Sequence, residues 1–200
     1  MSVVRLLKLF GAVAMLAIAL PDAGQAQSWV ATLNGASEAP PNASPGAGSA
    51  TFSLSGTMFT INVSFAGLVG VVTAAHIHCC TAAPFTGTVA VATQTPSFVG
   101  FPSGVTGGSY LHTFDISVAS FYRAGFITSS GGLAAAQALF VSNLGTGREY
   151  FNIHTTTFPG GEIRGFIVPD PTVVPEPASL ALVGTGLIGV GLMAFRRRRN

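Results

Sequence analysis

Residues 49–65 read SATFSLSGTMFTINVSF. From Phe59 to Phe65 every second residue is apolar and the residues between are polar, which is typical of a strand with one buried face. The first half of the stretch alternates in the same way, and Ser55-Gly56-Thr57 separates the two halves. The stretch therefore predicts a β-hairpin.

Similar runs occur along the rest of the chain. Strands are predicted over residues 29–33, 74–78, 88–92, 109–116, 150–155 and 162–168. One helix is predicted over 133–144, where apolar residues recur at helical spacing and Gly145 and Gly147 follow. Strands at this spacing with one or two short helices predict an all-β fold, an antiparallel β-sandwich or barrel.

The N-terminus has the features of a secretory signal peptide. Arg5 and Lys8 precede an apolar stretch over 9–20, and Pro21 interrupts it. This stretch is shorter than the roughly 18 residues needed to span a bilayer. We therefore predict a signal peptide over 1–26 that signal peptidase cleaves after Ala26.

The C-terminus predicts a membrane anchor. Residues 178–195 carry no charge, and as a helix they would extend about 27 Å, close to the ~30 Å hydrocarbon core. Four arginines follow at once, which predicts a transmembrane helix and Arg-rich cytoplasmic tail over 178–200, with the folded domain outside the cytoplasm. Residues 169–177 form a proline-rich linker.

The end of the chain resembles a known sorting signal. Pro175-Glu176-Pro177 precedes the apolar helix, and the terminal cluster consists of Arg196, Arg197, Arg198 and Arg199. This arrangement is similar to the bacterial PEP-CTERM signal. The resemblance implies recognition by an exosortase in the inner membrane, processing of the tail, and delivery to the cell surface or extracellular space. It also implies an exopolysaccharide-producing host, with exopolysaccharide as a candidate partner.

Three stretches of the middle resemble the CHRD domain, a module named after chordin. They read ATLNGASEAPPNASPGAGSATFSL (31–54), FAGLVGVVTAAHIH (65–78) and YFNIHTTTFPGGEIRGFI (150–167), in the family's order. The resemblance defines a CHRD-like domain over 27–168 and implies an extracellular, immunoglobulin-like or sandwich β fold. Between 79 and 148, Cys79-Cys80 and a long insert replace the family's short glycine turn and direct strand.

Three histidines are candidate metal ligands. His76 and His78 would share one face of a strand, about 6.6–7 Å apart, and His154 lies on a second strand. With Glu162 as a fourth ligand or as an acceptor behind the ligands, they predict a zinc or copper site. The alternative is a polar cluster in which the histidines bond the backbone and Glu162 pairs with an arginine.

Cys79 and Cys80 are the only cysteines. An even cysteine count in an exported protein favours a disulfide, and adjacent residues can close only a strained ring. A vicinal disulfide is the favoured interpretation. Thiolate ligands that extend the histidine cluster and a link to a second chain are the alternatives.

Charge and motifs exclude several functions. Charged residues make up only 8% of the chain, and the formal net charge of +2 is too small for a nucleic-acid binder. Residues 27–174 carry three basic and five acidic residues, so the basicity belongs to the termini. No Gly-x-Ser-x-Gly nucleophile motif occurs. We expect a non-enzymatic, exported β-domain with a structural or binding role; a surface copper or zinc protein is the alternative, and a redox enzyme ranks last.

Overall fold

The computed structural model describes residues 27–172. The signal peptide predicted for 1–26 lies outside the described residues, as do the Pro-Glu-Pro motif, the predicted transmembrane helix and the terminal arginines. The described part therefore contains the whole CHRD-like segment and the start of the proline-rich linker.

The described chain is mostly β-structure. Its strands are β1 (Gln27–Asn34), β2 (Ala47–Ser55), β3 (Met58–Ala66), β4 (Val72–His78), β5 (Gly108–Asp115), β6 (Tyr150–Thr155), β7 (Ile163–Phe166) and β8 (Val168–Pro169). The helices are α1 (Ala124–Ser130) and α2 (Leu133–Asn143). Single 3₁₀ turns lie at Gly35–Ser37 and Ala119–Phe121.

All paired strands run antiparallel in one curled sheet, which forms a half-barrel. The order across the sheet is β4-β6-β7-β1-β2-β3-β5, and β8 pairs with β1. The predicted hairpin is confirmed as β2 and β3, with Phe52 opposite Ile61 and Leu54 opposite Phe59. The prediction of an antiparallel β fold with short helices holds, but the sheet curls on itself and does not split into two facing layers.

Aromatic side chains fill the inside of the curve. Phe59 of β3, Phe121 and Phe140 of α2 contact one another with ring centroids 5.4–6.0 Å apart, and all three are buried. Such contacts stabilise a core beyond the area that they bury. The predicted helix over 133–144 is confirmed as α2. The helical spacing that predicted it arises because Ala136 and Phe140 lie on its buried face.

The sequence pattern missed α1. Only Phe126 of that helix is buried, so it has no apolar stripe to reveal it. Among residues 27–172 no single helix has the length and apolar composition to cross a membrane; only α1 and α2 counted together, bent by 92°, meet both conditions.

The strand predicted over 88–92 is wrong. This segment forms only an isolated bridge between Val91 and His78, with another at Thr93. The backbone carbonyl of Val89 is bonded to the His78 ring instead of a neighbouring strand. The segment runs antiparallel beside the end of β4 and is bridged to it only at Val91.

Gly165 of β7 permits a close approach of two strands. A Cβ atom at this position would collide with the backbone oxygen of Thr32 in β1. We expect Gly165→Ala to lower the free energy of unfolding by about 1–3 kcal/mol, the usual cost of overpacking. Urea denaturation should show this loss, with Gly160→Ala as the control because a Cβ at Gly160 meets nothing within 4 Å. Equal effects of the two changes would contradict the steric argument.

Candidate metal centre

Strands β4 and β6 bring three histidines together. They are neighbours in the sheet, with His76 opposite Asn152 and Ala74 opposite His154. Alternate residues of a strand share a face, so His76 and His78 project to the same side, where His154 also lies. The ring centroids are 5.1 Å apart for His76 and His154, and 6.0 Å apart for His76 and His78.

Each ring uses one nitrogen to bond a backbone carbonyl. His76 Nε2 lies 2.6 Å from the oxygen of Pro96, and His78 Nδ1 lies 2.7 Å from that of Val89. His154 Nδ1 lies 2.8 Å from the oxygen of Pro159. A carbonyl only accepts hydrogen bonds, so each of these ring nitrogens carries the proton. This assigns the tautomer of every ring.

The other nitrogen of each ring is left with a free lone pair. His76 Nδ1, His78 Nε2 and His154 Nε2 are buried and have no hydrogen-bond partner among the described residues. One nitrogen from each ring lies within 4.8 Å of the other two. Carbonyl-anchored histidines with a free second nitrogen are the usual arrangement of metal-binding imidazoles.

Burial keeps these rings neutral. It lowers the pKa of His76 and of His78 to about 4, although the bonds to the carbonyls of Pro96 and Val89 act in the opposite direction. Burial also lowers the pKa of His154. A metal ion binds the unprotonated nitrogen, so at neutral pH all three rings are in the binding form.

Tyr150 and Arg164 pack beside the cluster. The Tyr150 ring stacks on His78 at 4.6 Å, and the guanidinium carbon of Arg164 lies 4.6 Å from the centroid of the same tyrosine. Arg164 is buried and donates hydrogen bonds to the carbonyls of Ser37 and Gly87. Strand alternation in the sequence places Tyr150 on the same face as Asn152 and His154, but sequence reasoning did not include it among the site residues.

A polar layer continues from the histidines toward β7. Asn152 Nδ2 donates a 2.6 Å hydrogen bond to Glu38, whose carboxylate lies 3.9 Å from Arg164 Nε. Burial raises the pKa of Glu38 to about 7, although the Arg164 charge and the Asn152 bond lower it. The layer is thus held by charge and hydrogen bonds instead of apolar contacts.

Glu162 lies outside the histidine cluster. Its Oε1 accepts hydrogen bonds from Ser44 and the Val69 amide, and its Oε2 accepts them from Thr155 and the Gly70 amide. Two bonds to each oxygen occupy its lone pairs. Glu162 therefore has no oxygen to offer a metal ion; it ties the turn before β4 to β6. It pairs with neither Arg164 nor Arg148 among the ion pairs of residues 27–172.

The structure joins Cys79 and Cys80 in a vicinal disulfide. Cys79 belongs to the hydrophobic core, and Cys80 packs against it. Because His78 and Cys79 are consecutive residues at the end of a strand, they project to opposite sides of the sheet. Among the described residues, the two sulfur atoms group with Glu149 and not with the three histidines.

Comparison with known families agrees with the resemblances in the sequence. The CHRD domain model matches residues 29–167, more than half of the chain, and the PEP-CTERM protein-sorting motif matches residues 173–199. No curated protein and no solved structure gives a significant match. The sorting motif indicates an exported protein that is sorted through a membrane-anchored C-terminus and processed by an exosortase. The chain therefore belongs to the CHRD domain family and carries a C-terminal PEP-CTERM sorting motif.

Proposed function

We propose that this protein is a non-enzymatic binding module of the cell surface whose ligand is a copper or zinc ion held by His76, His78 and His154. One observation supports the proposal above all others. Three imidazoles converge, each with one nitrogen anchored on a carbonyl and the other buried without a partner among residues 27–172. Imidazole is a ligand for both zinc and copper.

A purely structural polar cluster accounts for less of the geometry. It explains the three bonds to backbone carbonyls, but within the described part of the chain it leaves three buried acceptor nitrogens unsatisfied. Each such group costs about 1–3 kcal/mol. A single cation would satisfy all three together. Three protein ligands leave a further coordination position for water or an exogenous ligand.

The test is a metal titration of the full-length protein in detergent. After removal of bound metal with a chelator, the wild type is expected to take up one equivalent of Zn²⁺ or Cu²⁺. His76→Ala and His154→Ala should each weaken binding by more than the roughly 10–100-fold that partners behind the ligands contribute. Isothermal titration calorimetry and elemental analysis measure both quantities.

His112 provides the matched control. It lies on β5, outside the cluster, and packs between Tyr110 and Phe114. His112→Ala removes one imidazole from the chain without touching the site, so metal uptake should be unchanged. A wild type that binds neither ion, or a His112→Ala variant as weak as His76→Ala, would refute the proposal. An exopolysaccharide partner stays a prediction from the sorting motif alone.

A further inference from the structure

On the core side of the sheet, Glu149 lies beside the vicinal disulfide. Continuing the β4–β6 register one step beyond His78 and Tyr150 places Cys79 opposite Glu149. The amide of Thr81 donates to the oxygen of Arg148 at 2.9 Å, so the two chains stay side by side past this point. A carboxylate oxygen of Glu149 and the sulfur atoms of Cys79 and Cys80 all lie within 4.8 Å of one another.

Glu149 is an unusual residue for this position. It is fully buried, and neither of its carboxylate oxygens has a hydrogen-bond partner among the described residues. Burial raises its pKa well above the ordinary value. A buried carboxyl group without partners is costly. The carboxyl group of Glu149 takes no part in the sheet or in the histidine site, and it lies beside the two sulfur atoms.

We propose that Cys79, Cys80 and Glu149 form a second, redox-gated site for a thiophilic divalent cation. The disulfide closes the site, and reduction opens it by providing two sulfur ligands beside the carboxylate. Zinc bonds of about 2.3 Å to sulfur and 2.0–2.2 Å to oxygen require ligand atoms about this close together. Thiolates select soft ions, unlike the imidazoles on the other side of the sheet.

The opening step is an ordinary thiol–disulfide exchange. A dithiol reductant gives two electrons and two protons, the bond between the sulfur atoms of Cys79 and Cys80 breaks, and the reductant closes its own disulfide. The two cysteines are then thiols. Cation binding displaces both thiol protons and the carboxyl proton of Glu149, so two thiolates and one carboxylate become ligands.

Cadmium is a suitable probe, because its bonds to thiolates absorb in the ultraviolet. The full-length protein in detergent is titrated with Cd²⁺ before and after reduction with a water-soluble phosphine, which is oxidised to the phosphine oxide. We expect one more equivalent of Cd²⁺ after reduction, together with the cadmium–thiolate absorption. The oxidised protein should show no such absorption. Cys80→Ser should lose at least half of it.

Glu149→Gln and the histidine variants complete the test. Glu149→Gln keeps the side-chain shape but removes the carboxylate, so Cd²⁺ binding to the reduced protein should weaken at least 10-fold. A His76→Ala/His154→Ala variant should keep the reduction-dependent equivalent, so failure of the histidine site and failure of this site are distinguishable. No additional Cd²⁺ after reduction, or unchanged binding in Glu149→Gln, would overturn the proposal. If Cys80→Ser does not fold, Cd²⁺ uptake by the oxidised and the reduced wild type still tests the proposal.

Discussion

Replacing Glu162 with Gln is expected to lower the free energy of unfolding by about 1–3 kcal/mol at neutral pH, the usual cost of leaving a buried hydrogen-bond donor without its acceptor. The carboxylate is fully buried and accepts four hydrogen bonds. A Gln side chain replaces one of its oxygens with an NH₂ group that faces two donors. Two donors then lose their acceptor.

The pH dependence of this loss has a definite sign. Burial alone raises the pKa of Glu162, but the bonds from Ser44, Thr155 and the amides of Val69 and Gly70 together hold it below the ordinary value. The stabilising contribution is therefore present above the pKa of the unfolded chain and is lost as the pH falls through the folded pKa. Urea denaturation at several pH values should show wild type and Glu162→Gln converging in acid. A constant difference would contradict the role of the ionised carboxylate.

Replacing Glu149 with Gln is expected to have the opposite effect and to raise the free energy of unfolding at neutral pH. Burial raises the pKa of Glu149 well above 4.5, so the folded protein keeps this carboxyl protonated where the unfolded chain has released the proton. Wild-type stability thus falls as the pH rises through the unfolded pKa. Glu149→Gln removes this dependence because an amide does not titrate in this range.

The expected gain can be measured directly. Above the pKa that Glu149 has in the unfolded chain, the free energy of unfolding of Glu149→Gln should rise relative to that of the wild type by about 1.4 kcal/mol for each pH unit. This holds as long as the carboxyl group of the folded wild type remains protonated. Urea denaturation of both proteins between pH 4 and pH 8 measures the slope. Glu162→Gln is the matched control, since it exchanges the same two residue types at another fully buried site. A pH-independent difference between Glu149→Gln and wild type would show that Glu149 is ionised in the folded protein.

Local patterns were sufficient for most of the sheet. The alternation over 49–65 predicted β2 and β3, because the two faces of a strand meet different surroundings. The same periodicity placed His76 and His78 on one face. Local pattern misled over 88–92, where the segment is half-buried against β4 without joining the sheet, and it missed α1, which buries only Phe126.

The two buried glutamates show what sequence alone could not decide. Glu162 follows a turn near His154 in the sequence, so it was expected to join the histidines, yet four donors from three other parts of the chain hold it elsewhere. Glu149 carried no sequence signal, yet it lies beside the disulfide in the core.

By itself, the sequence determined the C-terminal sorting motif, the family, the alternating strands and the face that carries His76 and His78. Each of these depends on residues that are close together along the chain. Only the tertiary structure decided which side chains meet His154 and which carbonyls orient the three rings. These contacts join segments that are distant in the sequence. Their geometry depends on the pairing of β4 with β6 and on the position of the segment after Cys80, which runs beside β4.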